Sequence, residues 1–279
     1  MRMSGAQIRV EDIEQLSYSV DPWEFRMNQV SRGKFEGVMD LVAVGNILVS
    51  WENWSNSIIA RGGTPPGYFV LVGHCSGQDL SWCGSRLGQQ HLAFATDGRE
   101  VDFCAPDNEG HWTVLVPRQV IDAQLGDITI DQLLPDVRLL RAGIQPIQEL
   151  TSVIVETITM ARNGRSLLLD PWAAELLQSR LLGAVSRLLL NCSQSQVDKH
   201  DSSRRFLAYQ RARLYAEQLQ APVSVEVLAR ELGVSRRTLE LGFRESAGVS
   251  PQAFLRCARL NGVHRDLLAA DPGSCLLYT

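Results

Sequence analysis

The stretch from Ser224 to Pro251 constrains this chain most, because capping serines, glycines and apolar residues fall there at spacings that leave little choice of local structure. Ser224 can cap a short helix in which Val225, Leu228, Ala229 and Leu232 fall at i, i+3, i+4 and i+7, making one buried face. Gly233 supplies the left-handed conformation that a tight turn demands, and Ser235 can cap the next helix at once. With Ser235 as the cap, Val234 precedes it and Leu239 takes the fourth helical position, the hydrophobic staple that fixes the angle of entry. Leu239 and Phe243 then point inward one turn apart. Gly248 can close this second helix, and Ser250 and Pro251 cap and open a third.

The face opposite Leu239 and Phe243 carries Ser235, Arg236, Arg237, Thr238, Glu240 and Arg244. Arginines and hydroxyls at the start of a helix suit a duplex major groove, where a bidentate contact to a base edge is worth ~1–3 kcal/mol. A helical hairpin with a merely solvated polar face is the plainer alternative, and the caps, turn glycine and staple in one register favour DNA. Charge agrees. The net value is −4, yet Arg204 to Asp271 holds eleven arginines against seven acids, so this segment is +4 and the remainder −8. Such a division is the footprint of a nucleic-acid unit attached to something else.

Between about Trp23 and Pro117 the apolar residues alternate or come in short runs, as in Ile47 to Trp51, Tyr68 to Val72 and Trp112 to Val116, which read as strands. Gly62-Gly63, Pro65-Pro66-Gly67 and Asp97-Gly98 read as turns, at a spacing suited to a small antiparallel barrel or sandwich. Ile130 to Ala142, Ile144 to Ala161 and Pro171 to Leu190 read as helices, with Asp170 and Pro171 a cap and first-turn pair. Leu177, Leu181, Val185 and Leu188 make a stripe that either packs on its own domain or zips against a second copy. The polar, serine-rich run from Asn191 to Ser203 reads as a linker.

The fold class expected is therefore α+β. A β-rich sensor domain over 20–120 takes the form of a small antiparallel, cupin-like β-barrel. A helical dimerisation segment follows over 121–191, a linker over 192–203 and an all-α helix-turn-helix domain over 204–274. Residues 275–279 read as a non-native tail, since Cys275 to Thr279 matches the translation of TGT CTC TTA TAC ACA, a sequencing-adapter end.

The run VSVEVLARELGVSRRTLELGFRESAGVSPQAFLRCARLN resembles the first helix-turn-helix and connecting helix of AraC/XylS-type transcription regulators. Hallmarks match at Leu228, Ala229, Gly233, Ser235, Leu239, Phe243, Gly248, Ser250, Pro251, Phe254, Arg259 and Leu260. Two positions depart from the pattern, Leu241 where a basic DNA contact is common and Val263 where alanine is common. Gly33-Lys34-Phe35-Glu36-Gly37, together with Arg259-Leu260-Asn261, is similar to the ethanolamine-operon branch. The resemblance implies a sequence-specific regulator, with promoter DNA, RNA polymerase and a small-molecule effector as partners and a homodimer through 171–190. It also implies a second helix-turn-helix, which the chain does not reach, so weak DNA binding is expected from one unit offering about 600–1,000 Å² of interface.

Trp51, Trp54, Tyr68, Trp82 and Trp112 could line an effector pocket or simply form core, with Glu52, Arg61, His74 and Glu100 as conceivable polar anchors. The rival reading is a metal-dependent cupin enzyme, but His74, His91 and His111 are dispersed, without a His-x-His pair. No cofactor and no catalytic group is expected. Six scattered cysteines read as reduced thiols, and the opening residues, rich in charge, exclude a signal peptide or membrane span, which points to the cytoplasm.

Overall fold

The computed structural model describes residues 3–19, 23–75, 80–96, 98–134, 139–163, 170–192, 204–218 and 223–270. The linker expected within 192–203, apart from its first residue, and the tail 275–279 lie outside these. Twelve described strands form two antiparallel sheets. The larger contains β1 (Met3–Val10), β3 (Gly37–Val44), β4 (Ile47–Trp54), β11 (Glu109–Pro117), β6 (Tyr68–His74), β9 (His91–Thr96) and β12 (Leu139–Arg141), in that spatial order. The smaller contains β2 (Glu24–Gln29), β5 (Ile58–Gly63), β10 (Glu100–Ala105), β7 (Leu80–Trp82) and β8 (Ser85–Leu87). The expected barrel is thus two open sheets facing one another across an interior cavity.

Strand alternation assigns every side chain to one of two cores. On β4, Leu48, Ser50, Glu52 and Trp54 face the other sheet, while Ile47 and Val49 face outward. On β11 the assignment runs through His111, Thr113 and Leu115 on the inside and Trp112, Val114 and Val116 on the outside. A short helix, α1 (Ile13–Ser19), joins β1 to β2, and the outer face of the larger sheet is covered by α4 (Ile144–Asn163) and α5 (Pro171–Cys192), with α2 (Arg118–Leu125) and α3 (Ile130–Leu133) beside them. Asp170 accepts from the Trp172 N–H at 2.9 Å, the cap expected for α5. The stripe Leu177, Leu181, Val185 and Leu188 is buried in this core, so it packs on its own domain and offers no seam to a second copy.

Two expectations fail for tertiary reasons. Ile130 to Ala142 is not one helix: after the single turn of α3, Leu139–Arg141 pairs antiparallel with β9 as an edge strand. Gly62 and Gly63 lie inside β5 rather than in a turn, and at Gly62 a Cβ would stand 2.0 Å from the Glu24 carbonyl oxygen. Glycine is there for close backbone approach.

The smaller sheet carries the C-terminal helices on its outer face: α6 (Arg204–Gln218), α7 (Val225–Glu231), α8 (Arg236–Ala247) and α9 (Pro251–Ala269). Three contacts seat them. The Phe206 ring lies where a Cβ on Gly84 would be, leaving glycine as the residue that fits. Arg213, fully buried, donates to Asp102 of β10 and, through Nε at 3.0 Å, to Glu217, while Gln210 donates to the other Asp102 oxygen at 2.9 Å. Asn261 of α9 accepts from the Gln29 N–H and donates to the Gln29 carbonyl at 3.2 and 2.9 Å, covering the edge of β2.

Candidate nucleic-acid interface and interior cavity

Local chemistry builds the α7–α8 unit. Ser224 Oγ accepts from the Val227 N–H at 3.3 Å and Ser235 Oγ from the Thr238 N–H at 3.1 Å, so both helices begin at side-chain caps. Gly233 between them has φ +63°, and Gly248 closes α8 at φ +68°. Leu228, Leu239 and Phe243 are fully buried, with Phe243 edge-on to Tyr209 at 5.0 Å and beside Phe254 at 5.2 Å. At Gly242 a Cβ would stand 2.4 Å from the Arg205 carbonyl oxygen, so α8 lies tight against the start of α6.

This packing leaves Ser235, Arg236, Arg237 and Arg244 exposed, with Thr238 and Glu240 partly so. Arg236 bridges Glu226 at 2.7 Å and Glu240 at 3.8 Å, while the Ser235 and Thr238 hydroxyls share a hydrogen bond at 2.8 Å. Surface ion pairs of this kind are weak and exchange readily for stronger partners. Arg237 makes no hydrogen bond or ion pair with any described residue. The six positions predicted from sequence therefore share the N-terminal end and one flank of α8.

The cavity between the sheets measures about 60 Å³. Of the five aromatics predicted to line it, Trp54 and Trp82 do, and Trp51, Tyr68 and Trp112 do not. Parity explains two of the failures: Trp51 and Trp112, directly opposite each other on β4 and β11, face the helices, where the Trp112 indole donates to Thr151 at 3.1 Å. Tyr68 sits half-buried at the start of β6. The aromatic wall is completed by Trp23, Phe25 and Phe103, which no local pattern in the sequence singles out.

At one end of the cavity Glu52 and His111 stand opposite each other across β4 and β11, with His74 opposite His111 on β6. His111 Nε2 lies 3.3 Å from Glu52, and its Nδ1 lies 3.3 Å from Glu109, which in turn lies 3.3 Å from His74 Nδ1. Ser50 donates to the second Glu52 oxygen at 2.5 Å. Burial by itself would lower the His111 pKa, but the Glu52 charge and hydrogen bonds to both carboxylates outweigh it and raise the value to about 10. Burial would likewise raise Glu109, yet its hydrogen bonds to His111 and His74 hold it down at about 2.

Of the other conceivable anchors, Arg61 and Glu100 pair with each other at 2.6 Å at the margin of the smaller sheet, and neither lines the cavity. His91 lies apart on β9. Among the described residues no group of three or more His, Cys, Asp or Glu side chains is placed to hold a metal ion. The described cysteines, Cys75, Cys83, Cys104, Cys192 and Cys257, are free thiols. No helix among the described residues is long and apolar enough to cross a membrane.

No family model matches the chain. A stretch of 55 residues is 44% identical to a probable thc operon regulatory protein of Rhodococcus erythropolis; it covers 20% of this chain and 17% of that protein. The AraC-like transcriptional activator CuxR superposes over 94% of this chain and 96% of its own at 15% identity and a TM-score of 0.49. ToxT from Vibrio cholerae superposes over 97% of this chain and 85% of its own at 11% identity and a TM-score of 0.30. Both scores fall below 0.5, so neither likeness bears on function.

Proposed function

We propose that this chain is a DNA-binding transcription regulator of the AraC/XylS type, in which α7 and α8 form a helix-turn-helix and α8 is the reading helix. The observation that carries the proposal is the placement of Arg236, Arg237 and Thr238. The two arginines stand exposed, and Thr238 partly so, at a serine-capped helix start whose opposite side is locked by fully buried Leu239 and Phe243. A helix N-terminus held rigidly in this way brings guanidinium groups to base edges and backbone N–H groups to phosphates. The short stretch shared with the Rhodococcus regulatory protein is in keeping with this role.

In the same reading the two sheets are a sensor, and a small molecule in their shared cavity shifts the seating of the C-terminal helices. RNA polymerase is the downstream partner. Selection from random duplex DNA with the full chain, followed by footprinting, tests the assignment. Enrichment of a defined sequence protected by the wild-type chain but not by Arg237→Ala is expected. Recovery of no sequence above background sinks it.

A further inference from the structure

Resting on the sensor role of the two sheets, we propose that the cavity takes a small uncharged molecule with an apolar, ring-sized body and a single hydroxyl or amide head group. That head group donates to Glu52 and accepts from the indole N–H of Trp54 or Trp82. The walls set the body. Trp23 and Phe25, stacked at 4.8 Å, line it together with Trp54, Trp82 and Phe103 and with aliphatic side chains such as Leu41, Ile58 and Leu115. The cavity of about 60 Å³ is smaller than the ~150 Å³ that holds a benzene ring, so a ring-sized body enters as lining side chains give way.

Hydrogen-bonding capacity sets the head group. Trp54 and Trp82 are 1% and 2% exposed, both line the cavity, and neither indole N–H has a partner among the described residues. Buried donors of this kind call for an acceptor. Glu52 supplies the complementary need: it lines the cavity, and its oxygens each accept one bond, from Ser50 and from His111, which leaves each with further accepting capacity. Because the His111 nitrogens are both spent on carboxylates, no cation among the described lining residues remains to receive an anion, and a ligand carboxylate would meet Glu52 with like charge. An ammonium group would satisfy Glu52 but leave the indole donors facing another donor. One neutral group that both donates and accepts serves all three.

The test is titration of the full chain with cyclopentanol, cyclopentylammonium and cyclopentanecarboxylate at pH 7, read by calorimetry and thermal unfolding. Cyclopentanol is expected to bind at least about tenfold tighter than either ion. Its affinity should fall several-fold in Trp54→Phe or Trp82→Phe, which keep the ring and remove the N–H. Preference for either ion, binding by none of the three, or cyclopentanol affinity unchanged in both variants overturns the proposal. DNA affinity measured alongside separates the two readings. Cyclopentanol binding that leaves DNA affinity unmoved upholds the ligand class and removes the sensor role.

Discussion

The arginine-bearing end of α8 and the cavity between the sheets meet their surroundings in opposite ways. Arg236 holds Glu226 and Glu240 at the surface, where water screens each pair and either can be given up for a phosphate or base. Glu52, His111, Glu109 and His74 sit in a row where water is scarce, so each charge relies on a fixed neighbour. A surface that must exchange partners is made of solvated charges on a rigid helix. The enclosed cavity keeps its charges mutually satisfied and leaves only selected donors and acceptors open.

This contrast can be broken experimentally, and the largest effect should come from a buried charge. Asp102→Ala removes one of the two carboxylates that hold fully buried Arg213 and is expected to cost ~3–5 kcal/mol in urea unfolding. Glu226→Gln, which frees exposed Arg236, should leave the midpoint almost unmoved. Equal losses would mean that burial does not divide the two regions as described.

Next comes pH. His111 is raised from 6.5 to about 10, so its contribution is complete below about pH 6.5 and is lost as pH climbs toward 10. Glu109 is lowered from 4.5 to about 2, so its contribution is complete above pH 4.5 and is lost as pH falls toward 2. The urea midpoint should therefore be highest between these limbs, and His111→Gln should flatten the alkaline one. An alkaline limb of unchanged slope in that variant would place the titration elsewhere.

On α8, Arg237→Ala is expected to weaken binding to the selected DNA by ~1–3 kcal/mol, whereas Arg244→Ala should weaken target and random duplexes alike. Equal losses on both duplexes for Arg237→Ala would refute that division of labour. The smallest effect belongs to a cap: Ser235→Ala should lower stability by ~1 kcal/mol in the same urea titration. No change would show that the α8 start is held by packing alone.

The α7–α8 unit was legible in the sequence because every determinant is local. Ser224, Gly233, Ser235, Gly248 and Ser250 each act within a few residues along the chain, and the structure has each where its spacing places it. The cavity was not legible, because it depends on register between distant strands. Glu52, His74 and His111 read as unrelated positions, and pairing of β4, β11 and β6 sets them side by side. Alternation could have separated Trp54 from Trp51 on one strand, but which parity faces inward is settled only once both sheets are covered. The same dependence on partners explains Leu139–Arg141, where an apolar run suited to a helix pairs with β9 instead.

Strand β10 is a wall with two tenants. Phe103 faces the cavity, while its neighbours Asp102 and Cys104 face the other way, toward Arg213 and Tyr209. Mutational drift along this strand cannot alter the lining of the cavity without also disturbing the seat of the C-terminal helices. New preferences should therefore arise first on β3 and β4, which lie beyond the C-terminal helices, with β10 among the slowest strands to diverge.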